Sequence, residues 1–250
     1  MATPQHYAWA GGHFILLVSA VKYVLAAALF RGPSKWWYQL AYTGAILSYG
    51  IVCFKSLGVP APNGTWIKRA LGDENVQYLV LAAFWWSSKP ITITLLPFAI
   101  FSLFHALTFT RTTIMPQVLP QGAPTTPNGP PQPHPIARKL QVWVKANYDT
   151  AMRLVAYTEI AIVARVILGT IFLQNSFLTP IFYLHFVRMR YFQSAFTKEA
   201  FNHTIAVIEN YITKPEAPLK AAEPVWNLLK SGVSRWMGLP GGAAPPPPRR

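Results

Sequence analysis

The sequence predicts an all-α, multi-pass membrane protein built from helical hairpins and closed by amphipathic helices. Two observations carry that expectation. The first is where charge is missing. Gly11–Phe30 holds one charged residue, Lys22, while Trp36–Phe54, Pro90–Thr110 and Val166–Val187 hold none. A helix needs about 20 apolar residues to cross a hydrocarbon core about 30 Å thick. Inside lipid only helices or closed barrels satisfy every backbone group, and these runs lack the alternation of a barrel strand. The second observation is composition. Charged residues make up 12% of the chain and aromatics 14%, and 22 Lys/Arg outnumber 8 Asp/Glu. That charged fraction is about half the norm for soluble domains.

Taken in order, residues 1–54 form the first membrane hairpin. Its halves are divided by Arg31-Gly-Pro-Ser-Lys35, where glycine and proline break the helix. The first twelve residues contain no Lys or Arg, so the basic start of a secretory signal is missing, and Gly12–Phe30 reads as a retained anchor. Cys53, the single cysteine, reads as a small buried apolar residue. Residues 55–75 are a polar loop with Pro60, Pro62, Asn63-Gly64, Lys68 and Arg69. In 76–110, Val76–Trp86 is too short to span comfortably, Ser87-Ser-Lys-Pro90 is a turn, and Pro90 is placed to start the next helix. That segment is a second hairpin.

Residues 111–153 are a linker. Eight prolines fall between Pro116 and Pro135, where burial is too small to order the chain and a polyproline-binding partner could dock. A basic stretch, Arg138–Arg153, follows. Residues 154–192 are a third hairpin, with Asn175, Ser176 and Pro180 at its turn. Residues 193–218 hold an amphipathic helix whose Phe201, Ile205, Ile208 and Ile212 share one face.

The sharpest local pattern is in the last segment, 219–250. On a helical wheel Val225, Trp226, Leu229, Val233, Trp236 and Met237 line one face, with Lys230 and Arg235 at its borders. Pro224 can occupy the first helical position, and Gly238 with Pro240 supplies the stop. Two tryptophans on the apolar face with cations at the boundary suit a helix lying in a membrane interface. The alternative is a helix docked on its own protein. The proline run 245–248 and the terminal arginines read as a disordered tail.

The basic residues cluster in Lys55–Arg69, in Arg111–Arg153 and from Arg188 onward. Three hairpins put all of these on one face, which the positive-inside rule makes cytosolic, together with both termini. Single crossings by Ile91–Phe109 and Val155–Phe177 would instead make Arg111–Arg153 luminal, and the hairpins are the favoured reading. The partner of the basic clusters is then the anionic cytoplasmic leaflet rather than nucleic acid. Two sequons, Asn63-Gly-Thr65 and Asn202-His-Thr204, are expected to stay unmodified on that face.

Intramembrane polar residues are a second class of candidate. Lys22, His105, Glu159 and Arg165 lie within apolar segments, where ionisable groups pair, face the bundle interior or line a path. Glu159 and Arg165, six residues apart, lie about 240° apart on a helix and cannot pair well with each other. Candidate partners are Lys22, Lys89, His105 and His185. No catalytic motif, metal-ligand spacing or cofactor fingerprint occurs, so a cofactor-free, non-enzymatic protein is expected, with a small transporter or channel as the alternative.

A resemblance extends this reading. Pro97-Phe-Ala-Ile-Phe-Ser-Leu-Phe-His105-Ala-Leu-Thr-Phe-Thr110 resembles the "LFSLLHAATYT" stretch of the transmembrane protein 33 family, which includes a fungal pore-membrane nucleoporin. Thr158-Glu159-Ile160 is similar to that family's Asn-Glu-Ile. The block Pro180-Ile-Phe-Tyr-Leu-His-Phe-Val-Arg188-Met-Arg190-Tyr191, with Phe201 and Lys214-Pro215 beyond it, resembles its "FIYYRFLTLRY…KP" block. The match covers roughly Asn75–Pro218. It implies residence in the endoplasmic reticulum and nuclear envelope, and work on membrane curvature, the tubular network and nuclear pore assembly. It also implies association with reticulon-type proteins, nucleoporins and a nuclear import receptor, and a membrane-binding role for Val225–Met237. The proline-rich insert and tail depart from the animal pattern.

Overall fold

The computed structural model describes residues 3–61, 63–122, 131–214 and 216–238, so the terminal proline run and arginines lie outside the described residues. The chain divides into two compact units, Met1–Val187 and Arg188–Arg250. All regular elements among the described residues are helical.

In the first unit α1 (Pro4–Ala28) and α2 (Lys35–Leu57) run antiparallel, with Tyr23 beside Tyr38 at one end and Ser48 donating to the Trp9 carbonyl toward the other. Helix α1 starts eight residues before the expected Gly12. Thr3 caps it and Pro4 fills its first turn, so the His6–Gly11 stretch continues the helix. Ser34 caps α2, and Gly32 adopts a positive φ of 64° in the intervening turn. The two helices approach most closely at Gly12 and Gly44. A Cβ on Gly12 would lie 2.6 Å from the Gly44 carbonyl oxygen, and one on Gly44 would lie 2.9 Å from the Leu16 nitrogen. Small residues at a helix crossing permit this approach in lipid.

The segment expected to be a polar loop contains α3 (Gly64–Gly72), whose first turn is capped by Asn63. Helix α4 (Glu74–Ser87) is 14 residues long, a rise of about 21 Å. It runs antiparallel to α2, as Tyr49–Tyr78 stacking and the bonds of Gln39 and Thr43 to Trp86 demonstrate. Pro90 does not begin the next helix as expected. Ile91 remains extended, a 3₁₀ turn occupies Thr92–Thr94, and α5 follows over Leu95–Phe109. Helical winding then continues through a π turn, Thr110–Ile114, into the short α6 (Met115–Val118).

Helix α7 spans Pro135–Ile171, 37 residues. The basic stretch expected in the linker is therefore its N-terminal half. Lys, Arg and Trp end an apolar run without ending a helix, and His134 caps the start with Pro135 in the first turn. The helix ends at Ile171, six residues before Phe177, where Asn175 Nδ2 donates to the Val166 carbonyl and to Thr170 Oγ1. Helix α8 (Leu178–Gln193) then reverses, placing Phe182 on Phe84 and Phe186 on Tyr78.

Together these contacts make three hairpins: α1–α2, α4–α5 and α7–α8. The short connections at 29–34, 88–91 and 172–177 lie at one end of the bundle, and the long ones lie at the other. Four stretches, Pro4–Ala28, Lys35–Leu57, Thr92–Val118 and Pro135–Ile171, are long and apolar enough to cross a membrane. The core joins Leu16, Tyr38, Tyr42, Trp85, Phe98, Ile162 and Tyr183 from six helices.

The second unit contains the end of α8, then α9 (Ala195–Ile212), a 3₁₀ turn at Lys220–Ala222 and α10 (Glu223–Met237). Ser194 caps α9, and its Phe201, Ile205, Ile208 and Ile212 face carries its less exposed positions, with Phe201 against Tyr191.

Candidate functional site

Two constellations are candidates, one inside the bundle and one on the C-terminal unit. Inside the bundle, several buried polar side chains bond one another. The hydroxyls of Tyr38 and Tyr42 from α2 meet Thr94 Oγ1 at 2.9 and 2.8 Å, and Thr94 donates to the Ile91 carbonyl at 2.7 Å. This bonded turn fixes the α4–α5 connection in a place where an unpaired hydroxyl would be costly. His13 Nδ1 and Ser102 Oγ share a hydrogen bond at 2.9 Å, and the His13 ring stacks on His105 at 4.6 Å. Glu159 is fully buried. Its Oε1 accepts from the Tyr78 hydroxyl at 2.5 Å, and its carbonyl accepts from the Tyr183 hydroxyl at 3.3 Å.

The four intramembrane candidates sit among different neighbours. Lys22 Nζ lies 4.6 Å over the Trp37 ring, and His105 packs edge-on to Trp9 as well as against His13. Glu159 meets Tyr78, whereas Arg165 lies beside Gly169, one turn further along α7. These four residues thus have four separate sets of neighbours. Beside Glu159 the rings of Tyr78, Trp85, Phe98 and Tyr183 form a wall of aromatic side chains. Sequence reasoning sought a countercharge for Glu159 and passed over the phenol that meets it. It also passed over His13, which is buried although it lies near the start of the chain.

The second constellation is α10. Glu223 opens the helix, one residue before the expected Pro224, and Gly238 closes it in the left-handed conformation, while Pro240 lies outside the described residues. Val225, Leu229 and Trp236 are 61%, 57% and 44% exposed, and Leu228 and Val233 are exposed with them. Met237 is buried and Trp226 is half-buried, so the expected apolar face is split between an open centre and a covered flank. Lys230, on the covered side, forms an ion pair with Glu209 of α9. Arg235 is exposed on the open side, and Arg188 stacks 5.7 Å over the Trp236 ring. Chemically this is an apolar strip about three turns long with a free cation at its margin. Among the described residues no cluster of His, Cys, Asp and Glu could hold a metal ion.

Hairpins with buried, mutually bonded polar groups and four span-length helices define a multi-pass helical membrane protein that carries an amphipathic helix on a separate unit. Comparison with known sequences gives its family. The profile described as Transmembrane protein 33/Nucleoporin POM33 matches residues 1–236, and the chain belongs to that family. Similar relatives include Nucleoporin POM33 of Chaetomium thermophilum, 34% identical over 96% of this chain and 88% of its own length. Tetra-spanning protein 1 of Schizosaccharomyces pombe is 30% identical over 95% and 86%. Human Transmembrane protein 33 is 25% identical over 78% of each chain. No solved structure matches. The family match extends well beyond the 75–218 core in which the sequence resemblance was visible, taking in the first hairpin and nearly all of α10.

Proposed function

We propose that this chain is a non-enzymatic protein of the endoplasmic reticulum and nuclear pore membrane that shapes or stabilises curved bilayer. The reading includes a contribution to pore assembly and to tubular network organisation. The observation that carries it is the open apolar strip Val225, Leu229 and Trp236 on α10, with Arg235 at its edge. An amphipathic helix of this kind inserts to the depth of the headgroup boundary and expands one leaflet, which favours convex membrane. The lengths of α4 and α8, about 21 and 24 Å, support the same direction, since short hairpins also displace the two leaflets unequally. The names of two fungal relatives, Nucleoporin POM33 and Pore membrane protein of 33 kDa, support the location.

The same reading places the long connections, with their basic residues, on the cytosolic face. The anionic leaflet is the partner there, at about 1 kcal/mol per Lys or Arg close to it. A glycosidase-sensitive mass shift lost on Asn63→Gln would overturn that topology. The test of function is reconstitution of the full chain into large vesicles containing phosphatidylserine. Narrow tubules are expected by electron microscopy, and fewer of them with Leu229→Glu plus Trp236→Glu. Round vesicles at every protein density would sink the shaping role.

A further inference from the structure

We propose that α3 is a second in-plane helix, held in the membrane interface with Ile67 and Leu71 in lipid. Its position follows from its attachments. Six residues, 58–63, separate it from the end of α2, and Asp73 alone separates it from α4. Asp73 closes α3 and caps α4, with Oδ1 accepting from the Asn75 and Val76 amides at 2.7 and 3.3 Å. A helix tied this tightly between two membrane-embedded helices lies at the boundary where they end.

Its chemistry fits that place. On the helical wheel Trp66, Ala70, Ile67 and Leu71 cover one arc, and Lys68, Thr65 and Arg69 cover the rest. One edge of the apolar arc is docked: Ala70 is buried and Trp66 Nε1 donates to the Leu57 carbonyl at 3.2 Å. Gln77 Nε2 of α4 donates to the Leu71 carbonyl at 3.0 Å, which fixes the last turn. The other edge is open. Ile67 is 46% exposed and Leu71 66%, and Val59 in the preceding connection is 72% exposed. These side chains point away from the helices that hold α3, and the bilayer is the apolar phase already present at that level. Lys55, Lys68 and Arg69 then stand at phosphate height, while the negative charge of Asp73 and Glu74 sits at the N-terminus of α4, where the helix dipole favours it. Occupant and charge agree: an anionic leaflet takes the apolar edge and the cations together.

This inference rests on the embedding of α2 and α4 and not on the shaping role, so the two fail separately. The test uses the full chain with its one cysteine replaced, Cys53→Ser, and a nitroxide placed in turn through Ile67→Cys, Leu71→Cys and Thr65→Cys. The chain is reconstituted in phosphatidylcholine–phosphatidylserine vesicles. Collision rates with oxygen, which concentrates in lipid, and with a water-soluble nickel chelate report depth. Positions 67 and 71 are expected to favour oxygen and position 65 the chelate. Chelate-favoured collisions at 67 and 71 would place α3 in water and overturn the proposal. Protection of both from both reagents would overturn it too, in favour of contact with protein.

Discussion

The bundle and the C-terminal unit use apolar residues in opposite ways. In Met1–Val187 the large side chains converge, and rings from α2, α4, α5 and α8 meet around Tyr78 and Phe98. Thr94 and Glu159 find their polar partners inside the bundle. In Arg188–Arg250 the best apolar strip points outward, and its neighbouring cation Lys230 is held by Glu209 at the surface. Packing in the bundle has to be specific, because lipid offers apolar side chains as good an environment as the interior does. The second unit needs only an unsatisfied face. Substitutions should therefore divide into those that destroy the fold and those that leave the fold intact but remove membrane affinity.

The largest effect is expected at the α1–α2 crossing. Gly44→Val places a side chain against the Gly12 carbonyl and the Leu16 amide, both backbone groups that cannot turn aside. Overpacking costs about 1–3 kcal/mol even among side chains. The variant should lose its monodisperse peak in detergent, and an unchanged elution profile would show that the crossing is looser than described. Next is Tyr78→Phe, which removes one donor from a buried carboxylate at a cost of about 1–3 kcal/mol. Its unfolding temperature in mild detergent should fall, and Glu159→Gln in the same chain should recover part of the loss.

Leu229→Glu with Trp236→Glu reverses the pattern. The unfolding temperature should stay at the wild-type value while flotation of a peptide covering 219–238 on anionic vesicles is lost. A fall in stability instead would mean that α10 is a docked element. The smallest effect belongs to Lys230→Ala. Exposed ion pairs contribute about 0–1 kcal/mol, and this cation is already engaged with Glu209. In whole-chain vesicle tubulation, Arg235→Ala should weaken the outcome more than Lys230→Ala, and both differences should shrink at high salt.

How much of this the sequence carried depended on whether the signal was local. The spans, the breaks at Gly32, Ser88–Pro90 and Asn175, and the caps of α10 were legible because each rests on neighbouring residues. Helix α3 was hidden because two cations and a proline-rich approach make nine residues read as a polar loop. The N-terminal half of α7 was hidden because polarity says where lipid ends, not where a helix ends. Pairings such as His13 with Ser102, 89 positions apart, need the helices placed first. Which flank of α10 is covered belongs to tertiary structure in the same way. The wheel put Trp226 and Trp236 on one face, and the fold gave them different exposures.

The length of α7 has a consequence for the proline-rich stretch before it. At 37 residues the helix is about 55 Å long, some 25 Å more than the hydrocarbon core needs. Its charged residues from Arg138 to Arg153 put that excess at the N-terminal end. Pro135 therefore sits at the tip of a rigid post, and Val118, at the far end of the α5–α6 run, marks the other attachment of the same stretch. Shortening the post by whole turns would draw Pro135 toward the level of the headgroups by about 5.4 Å each.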